Sequence, residues 1–125
     1  MARSFKLLII DDSAEILAGL SNYLSIKKYD VATARDGLEG LKLFESEENG
    51  FDLVITDVVM PNISGVGVIS ILKKKHPEIP VIAITGMGEH PEALAIEARA
   101  DVVLEKPFDL SDLERNITEL LAKKS

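Results

Sequence analysis

Hydrophobic residues fall along this chain in short blocks, separated by longer stretches with a helical period. The blocks Lys6–Ile10 (KLLII), 52–56 (DLVIT) and 80–84 (PVIAI) are rich in Ile, Val and Leu and lack strict alternation. A strand with one wet face alternates apolar and polar residues. An unbroken apolar run marks a strand covered on both faces, the usual condition in a parallel sheet. The runs 29–34 and 101–105 are weaker strand patterns, suited to positions nearer the sheet edges.

Between the blocks, 13–27 places Ile16, Leu17, Leu20 and Leu24 on one helical face. A second helix opens at Asp36 with Glu39 three residues on, an acidic relative of the capping box, and Leu38, Leu41 and Phe44 supply its apolar stripe. A third spans 65–75 with Val68, Ile69 and Leu72 inward, and Pro77 stops it. A fourth, over 91–98, starts with Pro91 at its first position. The last spans 110–123, with Asp109 as cap and Leu113, Ile117, Leu120 and Leu121 inward. Strand and helix alternate five times. That order predicts an α/β domain, a parallel sheet with helices on both faces. At 125 residues the chain is expected to be one domain, 1–125.

Composition narrows the function. An apolar content of 46% supports a packed core, and a net charge of −7 argues against direct contact with nucleic acid, which needs a basic face. The absence of cysteine excludes disulfides, thiol catalysis and thiolate zinc sites. The opening MARSFK has no apolar signal region, and no apolar run approaches membrane-spanning length. The expected location is therefore the cytoplasm, with no membrane partner.

The strand-like runs end in complementary groups: Asp11-Asp12, Asp57, Thr85-Gly86 and Lys106-Pro107. In open α/β sheets, ligands bind beyond the carboxyl ends of the strands. Carboxylates brought together there repel unless a cation joins them, and a hard divalent cation takes oxygen ligands. A hydroxyl, a residue without a side chain and an ammonium suit a phosphoryl group. Each signal alone has a plainer reading. Asp11 and Asp12 can serve the first helix's cap and dipole. Asp57 can simply end a buried strand, Thr85-Gly86 can be a turn, and Lys106 a solvated lysine. A cis peptide before Pro107 would aim the ammonium across the strand ends. His76 and His90 have no ligand partner at useful spacing and read as surface residues.

With the motifs LLIIDDS, DLVITDVVMPNISG, VIAITG and LEKPF, the chain resembles the receiver domain of two-component response regulators over essentially its whole length. The resemblance implies a doubly wound (βα)5 flavodoxin-like fold, strand order 2-1-3-4-5. It implies a phosphorelay receiver and phosphoprotein, not an enzyme with a separate substrate, that catalyses its own phosphotransfer and slow dephosphorylation. Asp57 would accept a phosphoryl group from a phosphohistidine on a sensor histidine kinase or histidine phosphotransfer protein. Asp12, Asp57 and the Val59 carbonyl would bind Mg²⁺, for which Mn²⁺ can substitute, with Asp11 acting through a water. Lys106 would pair with the phosphoryl oxygens, and Val58, Val59 and Gly86 would offer backbone N–H groups. Thr85 and Val103 hold the switch positions. The output protein or domain would meet the face formed by the fourth helix, the fifth strand and the last helix.

Three features depart from the family pattern. Val103 stands where an aromatic residue is usual, Arg99 where glycine is usual, and the segment from Thr85 to Lys106 is about one residue short. A haloacid-dehalogenase-type phosphatase needs a second acid two residues after its nucleophile, where this chain has Ser13 or Val59. A nucleotide-binding flavodoxin-like domain needs a glycine-rich loop after the first strand, which is missing. A receiver serving only for docking would not need the full set Asp11, Asp12, Asp57, Thr85 and Lys106.

Val59 and Met87, two residues after Asp57 and Thr85, stand where the family flanks the hydrolytic water. Both are apolar and cannot orient it by hydrogen bonding. The phosphorylated form is therefore expected to be long-lived. Val59→Asn combined with Met87→Glu should accelerate loss of label from the purified phosphoprotein, and equal or slower decay refutes the explanation.

Overall fold

The structure, a computed structural model, describes residues 4–48, 50–58, 65–86 and 99–123. In chain order these form β1 (Lys6–Ile10), α1 (Ala14–Ile26), β2 (Asp30–Ala34), α2 (Gly37–Ser46), β3 (Leu53–Asp57), α3 (Gly65–Lys75), β4 (Val81–Thr85), β5 (Val102–Glu105) and α4 (Leu110–Ala122). The strands make one parallel sheet in the order β2-β1-β3-β4-β5, with the flavodoxin-like topology expected from the sequence. The helix expected over 91–98 lies outside the described residues.

Successive strand residues point to opposite faces, and each face carries its own core. Leu8, Ile10, Val54, Val81 and Ala83 pack with Phe44 of α2 and with Val68, Ile69 and Leu72 of α3. Leu7, Ile9, Ile55, Ile82 and Ile84 pack with Leu17, Leu20 and Leu24 of α1 and with Leu113, Ile117 and Leu121 of α4. β3 and β4 are buried along their whole length, which accounts for their unbroken apolar runs. Burial of each large side chain contributes roughly 1.5–3 kcal/mol relative to exposure.

The inward assignment of Leu38 needs correction. Leu38 is 46% exposed, and the buried positions of α2 are Gly37, Gly40 and Phe44. α2 lies so close to β1 that a Cβ at Gly40 would sit 2.8 Å from Ile10 Cγ1, so glycines rather than leucines fill the stripe. Ile16 and Leu120 are half-buried at the margin of their cluster.

Local signals explain the helix ends. Ser13 Oγ accepts the Ile16 N–H at 3.3 Å, and Asp36 Oδ1 accepts the Glu39 N–H at 2.8 Å. Asp109 occupies the N-cap position of α4 but makes no side-chain cap bond. At the foot of the sheet Lys73 Nζ donates to the Ile79 carbonyl at 2.7 Å and pairs with Asp101 at 2.6 Å. Asp101 Oδ2 in turn accepts the Val81 N–H at 2.7 Å. This network fixes where β5 starts against β4, and so where Lys106 emerges.

α1 ends in a Schellman motif: Tyr29 N–H donates to the Leu24 carbonyl at 3.1 Å and Lys28 N–H to the Ser25 carbonyl at 3.0 Å. The motif puts Lys28 at φ 77°, left-handed backbone that favours glycine. Lys28 is exposed. Lys28→Gly should stabilise the domain by about 1 kcal/mol, read as a raised urea midpoint at constant slope; a lowered midpoint contradicts this account.

Candidate functional site

Parallel register brings the ends of β1, β3 and β4 to one edge, pairing Ile10 with Thr56 and Asp57 with Ile84. Asp11 prolongs the ladder by one residue, its N–H donating to the Ala34 carbonyl at 3.1 Å. Its Oδ1 accepts the Ser13 N–H at 2.9 Å, which shapes the turn into α1. Ser13 supplies the cap of α1, so capping does not account for Asp12, whose side chain is exposed.

Carboxylate oxygens of Asp11, Asp12 and Asp57 lie within 4.8 Å of one another. Asp11 is 1% exposed and Asp57 6%. Lys106 Nζ stands 3.7 Å from Asp11 Oδ2 and 3.7 Å from Asp57 Oδ2. One ammonium against three carboxylates leaves the cluster acidic. Burial pushes the Asp11 carboxyl above its ordinary range, against the Ser13 N–H and the Lys106 ammonium, which pull it down. Asp11 Oδ2 and Thr85 Oγ1 are buried with no hydrogen-bond partner. An unsatisfied buried polar atom costs about 1–3 kcal/mol, and these two fit a site that expects a ligand. Clustered carboxylate oxygens with one unsatisfied fit a hard divalent cation.

Asp57 is held by its neighbours. Thr56 Oγ1 donates to the Asp57 carbonyl at 3.0 Å. Gly65, the first residue of α3, donates its N–H to the Val58 carbonyl at 2.9 Å. A Cβ at Gly65 would lie 2.6 Å from Val58 Cα and would strike the Asp57 carbonyl. Gly65 closes the DLVITDVVMPNISG motif, which was the signal available in the sequence.

Thr85 ends β4 fully buried, and its carbonyl accepts the Lys106 N–H at 2.7 Å. The Lys106–Pro107 peptide is cis. Gly86 follows Thr85 and is half-buried. Val103 lies opposite Ala83, half-buried against the cluster beneath α2 and α3. Val58 requires a correction: its N–H donates to the Ile84 carbonyl at 3.0 Å, so the ladder takes the donor expected for a phosphoryl oxygen. Val59 and Met87 lie outside the described residues.

The family model for the response regulator receiver domain matches residues 7–118. The chain belongs to this family. A receiver domain protein from Clostridium thermocellum superposes with TM-score 0.89 at 36% identity, covering 96% of each chain. A CheY-like receiver domain protein from Methanospirillum hungatei superposes with TM-score 0.90 at 28% identity, covering 98% of this receiver and 97% of that chain. In sequence, this receiver is 38% identical over 94% of its length to the probable transcriptional regulator ycf27 of Cyanophora paradoxa, covering 48% of that protein. It is 33% identical over 95% of its length to the transcriptional regulatory protein PrrA of Mycobacterium tuberculosis, covering 51% of it. The receiver thus spans about half the length of the curated relatives it matches.

The packing at Gly65 generates a prediction. Gly65→Ala must push α3 or the Asp57 carbonyl aside. Displacement of a reacting group by an ångström can cost up to about a hundredfold in rate. If Asp57 is the acceptor, its labelling by acetyl phosphate should fall by on the order of tenfold or more, with the far-ultraviolet circular dichroism of a folded domain retained; an unchanged rate would show that the close approach has no part in placing Asp57.

Proposed function

We propose that this receiver accepts a phosphoryl group on Asp57 from a phosphohistidine, in a Mg²⁺-dependent reaction, and signals by the rearrangement that follows. The observation that carries the reading is Asp57 itself, a buried carboxylate 3.7 Å from the Lys106 ammonium and clustered with Asp11 and Asp12. In the transfer, an Asp57 carboxylate oxygen forms the new P–O bond as the donor's P–N bond breaks. The electron pair returns to the imidazole nitrogen, which takes a proton from solvent.

Asp11, Asp12 and Asp57 would hold the divalent cation, with Val59 offering its carbonyl; bound there, it supplies positive charge against the phosphoryl oxygens. Lys106 pairs with one of those oxygens, stabilising charge as the phosphoryl group passes. The buried Thr85 hydroxyl donates to another, and Gly86 lets its backbone approach closely. The phosphoryl group carries roughly 1.5–2 negative charges, but the Asp57 carboxylate gives up its own in forming the bond, so the acidic pocket gains at most about one negative charge and three acceptor oxygens. The surroundings must rearrange to satisfy them.

The donor is a sensor histidine kinase or a histidine phosphotransfer protein, in the cytoplasm. The curated relatives are transcriptional regulators about twice this length, so the signal is read by an output domain or partner rather than by nucleic acid on this acidic domain. The output face would be formed by β5 and α4, together with the helix expected over 91–98. Val103 has no ring, so an aromatic rotamer cannot carry the signal there.

Incubation with acetyl phosphate and Mg²⁺ should label the unmodified chain, and chelation of the metal or Asp57→Asn should abolish labelling. Asp12→Ala should weaken Mg²⁺ binding. Undiminished labelling of the Asp57→Asn protein removes Asp57 as the acceptor.

A further inference from the structure

Of the five described strands, β5 alone has no buried residue. Val102, Val103 and Leu104 are half-buried and Glu105 is exposed, whereas each of the other strands holds at least one buried position. β5 lies at the sheet edge and, among the described residues, pairs only with β4. A short element with few buried apolar contacts belongs to the low-stability end of a fold. Yet Lys106, one residue beyond it, holds its ammonium 3.7 Å from both Asp11 Oδ2 and Asp57 Oδ2. Apolar packing along β5 is too thin to set that position, so the ends of the strand must set it.

At the upper end the Lys106 N–H donates to the Thr85 carbonyl at 2.7 Å. At the lower end Asp101 meets Val81 twice. Its N–H donates to the Val81 carbonyl at 2.8 Å, and its Oδ2 accepts the Val81 N–H at 2.7 Å. The same Oδ2 takes the Lys73 ammonium at 2.6 Å. Lys73 also donates to the carbonyls of Ile79 at 2.7 Å and Pro77 at 3.5 Å, so its three N–H donors all have acceptors. A lysine in the last turn of a helix ordinarily complements the helix dipole from the surface, as the exposed Lys74 and Lys75 do. Lys73 differs: its side chain is 9% exposed and aimed at Asp101, a burial that lysine tolerates only when paired. One ammonium thus ties the end of α3 and the turn before β4 to the residue that precedes β5.

Asp101 and Lys106 are five residues apart, about 16 Å along an extended strand. Bonded to β4 at both ends, β5 has no slack between them. Release of the lower end lets the strand tilt or slide, and the Lys106 ammonium moves with it.

We propose that Lys73 and Asp101 are positioning residues for phosphoryl transfer, acting from the opposite end of the sheet by keeping β5 docked so that Lys106 stays within reach of the phosphoryl oxygens. The inference rests on the phosphoacceptor reading above. Transfer needs the docked strand, so its rate scales with the fraction of molecules in which the strand is docked. The carboxylates that would hold the cation follow β1 and end β3, outside the clamp. Loss of the pair therefore acts on Lys106 and leaves metal binding alone.

The test uses the full chain and two variants. Lys73→Met keeps most of the side chain's length and removes its charge; Asp101→Asn keeps an oxygen for the Val81 N–H. In both, amide exchange of the Lys106 N–H should accelerate by about tenfold or more, while that of the Val58 N–H, bonded to Ile84 on the β3 side of β4, stays within about twofold. Labelling by acetyl phosphate at saturating Mg²⁺ should slow by on the order of tenfold. The Mg²⁺ concentration for half-maximal labelling should stay within about twofold, as expected for a distant site. Equal acceleration of both amides would show that the pair supports the whole domain, and overturns the proposal. Faster exchange at Lys106 with undiminished labelling also overturns it, since β5 would then loosen without consequence for the reaction. So does a raised Mg²⁺ requirement, which would place the effect at the carboxylates. If the unmodified chain takes no label, it is the phosphoacceptor reading that falls, whatever the exchange rates show.

Discussion

Like charges brought close in a buried place are the constraint on which this structure turns. Asp11 and Asp57 are almost fully buried, with Asp12 beside them and, among the described residues, one ammonium, that of Lys106, in reach. Burial alone disfavours the charged form of Asp11, and Asp12 adds repulsion. A fold optimised only for stability would not assemble such a cluster, since replacing buried charges by apolar groups is often neutral or stabilising. The domain holds it because the cost is spread over surroundings that are otherwise apolar and well paired. Each face of the sheet carries an apolar core among the described residues, and the backbone at the strand ends stays within the ladder through Asp11 and Val58.

Distance from the site does not mean independence from it. The Lys73–Asp101 pair sits at the opposite end of the sheet, yet it sets the start of β5 against β4. Lys106 lies one residue past the end of that short strand, so its reach to Asp57 depends on the register the pair establishes. Gly65 acts from the other side, letting α3 begin against the Asp57 carbonyl. The position of one carboxylate is thus fixed by a strand, a helix start and a remote ion pair.

The fold was largely legible because buried parallel strands leave continuous apolar runs and their ends carry the polar residues. β1, β3 and β4 were visible for that reason, and the sheet order came with the resemblance. What stayed hidden depends on tertiary distance. Gly40 occupies the buried stripe of α2 because that helix touches Ile10, and a hydrophobic pattern cannot register a glycine as core. Val58 looked like a backbone donor for a ligand, but the β3–β4 ladder uses its N–H. Arg99, noted as a departure from glycine, adopts φ 76°, so the backbone keeps the left-handed conformation although the side chain has changed. The carboxylate cluster was legible as a set of strand ends; the orphaned oxygens inside it arise from how the strand ends pack together.

Those orphaned oxygens also bear on how a switch can work here. A ligand shifts a conformational equilibrium only by interacting differently with the two states. The unmodified domain keeps Thr85 Oγ1 buried and unsatisfied, while β4 around it is locked between β3 and β5. In the proposed reaction the new phosphoryl oxygens give that hydroxyl an acceptor, worth about 1.5–3 kcal/mol when the acceptor is charged. A difference of that size is enough to change a two-state population about tenfold or more. Because the strand cannot shift without breaking its ladder, the hydroxyl reaches its acceptor by rotation about χ1, to which a β-branched side chain gives few alternatives. Val103, opposite Ala83 on β5, is β-branched too and packs against the core beneath α2 and α3. Neither side chain can sweep a large volume, so any large displacement on the output face has to come from backbone beyond β4 rather than from a swinging ring.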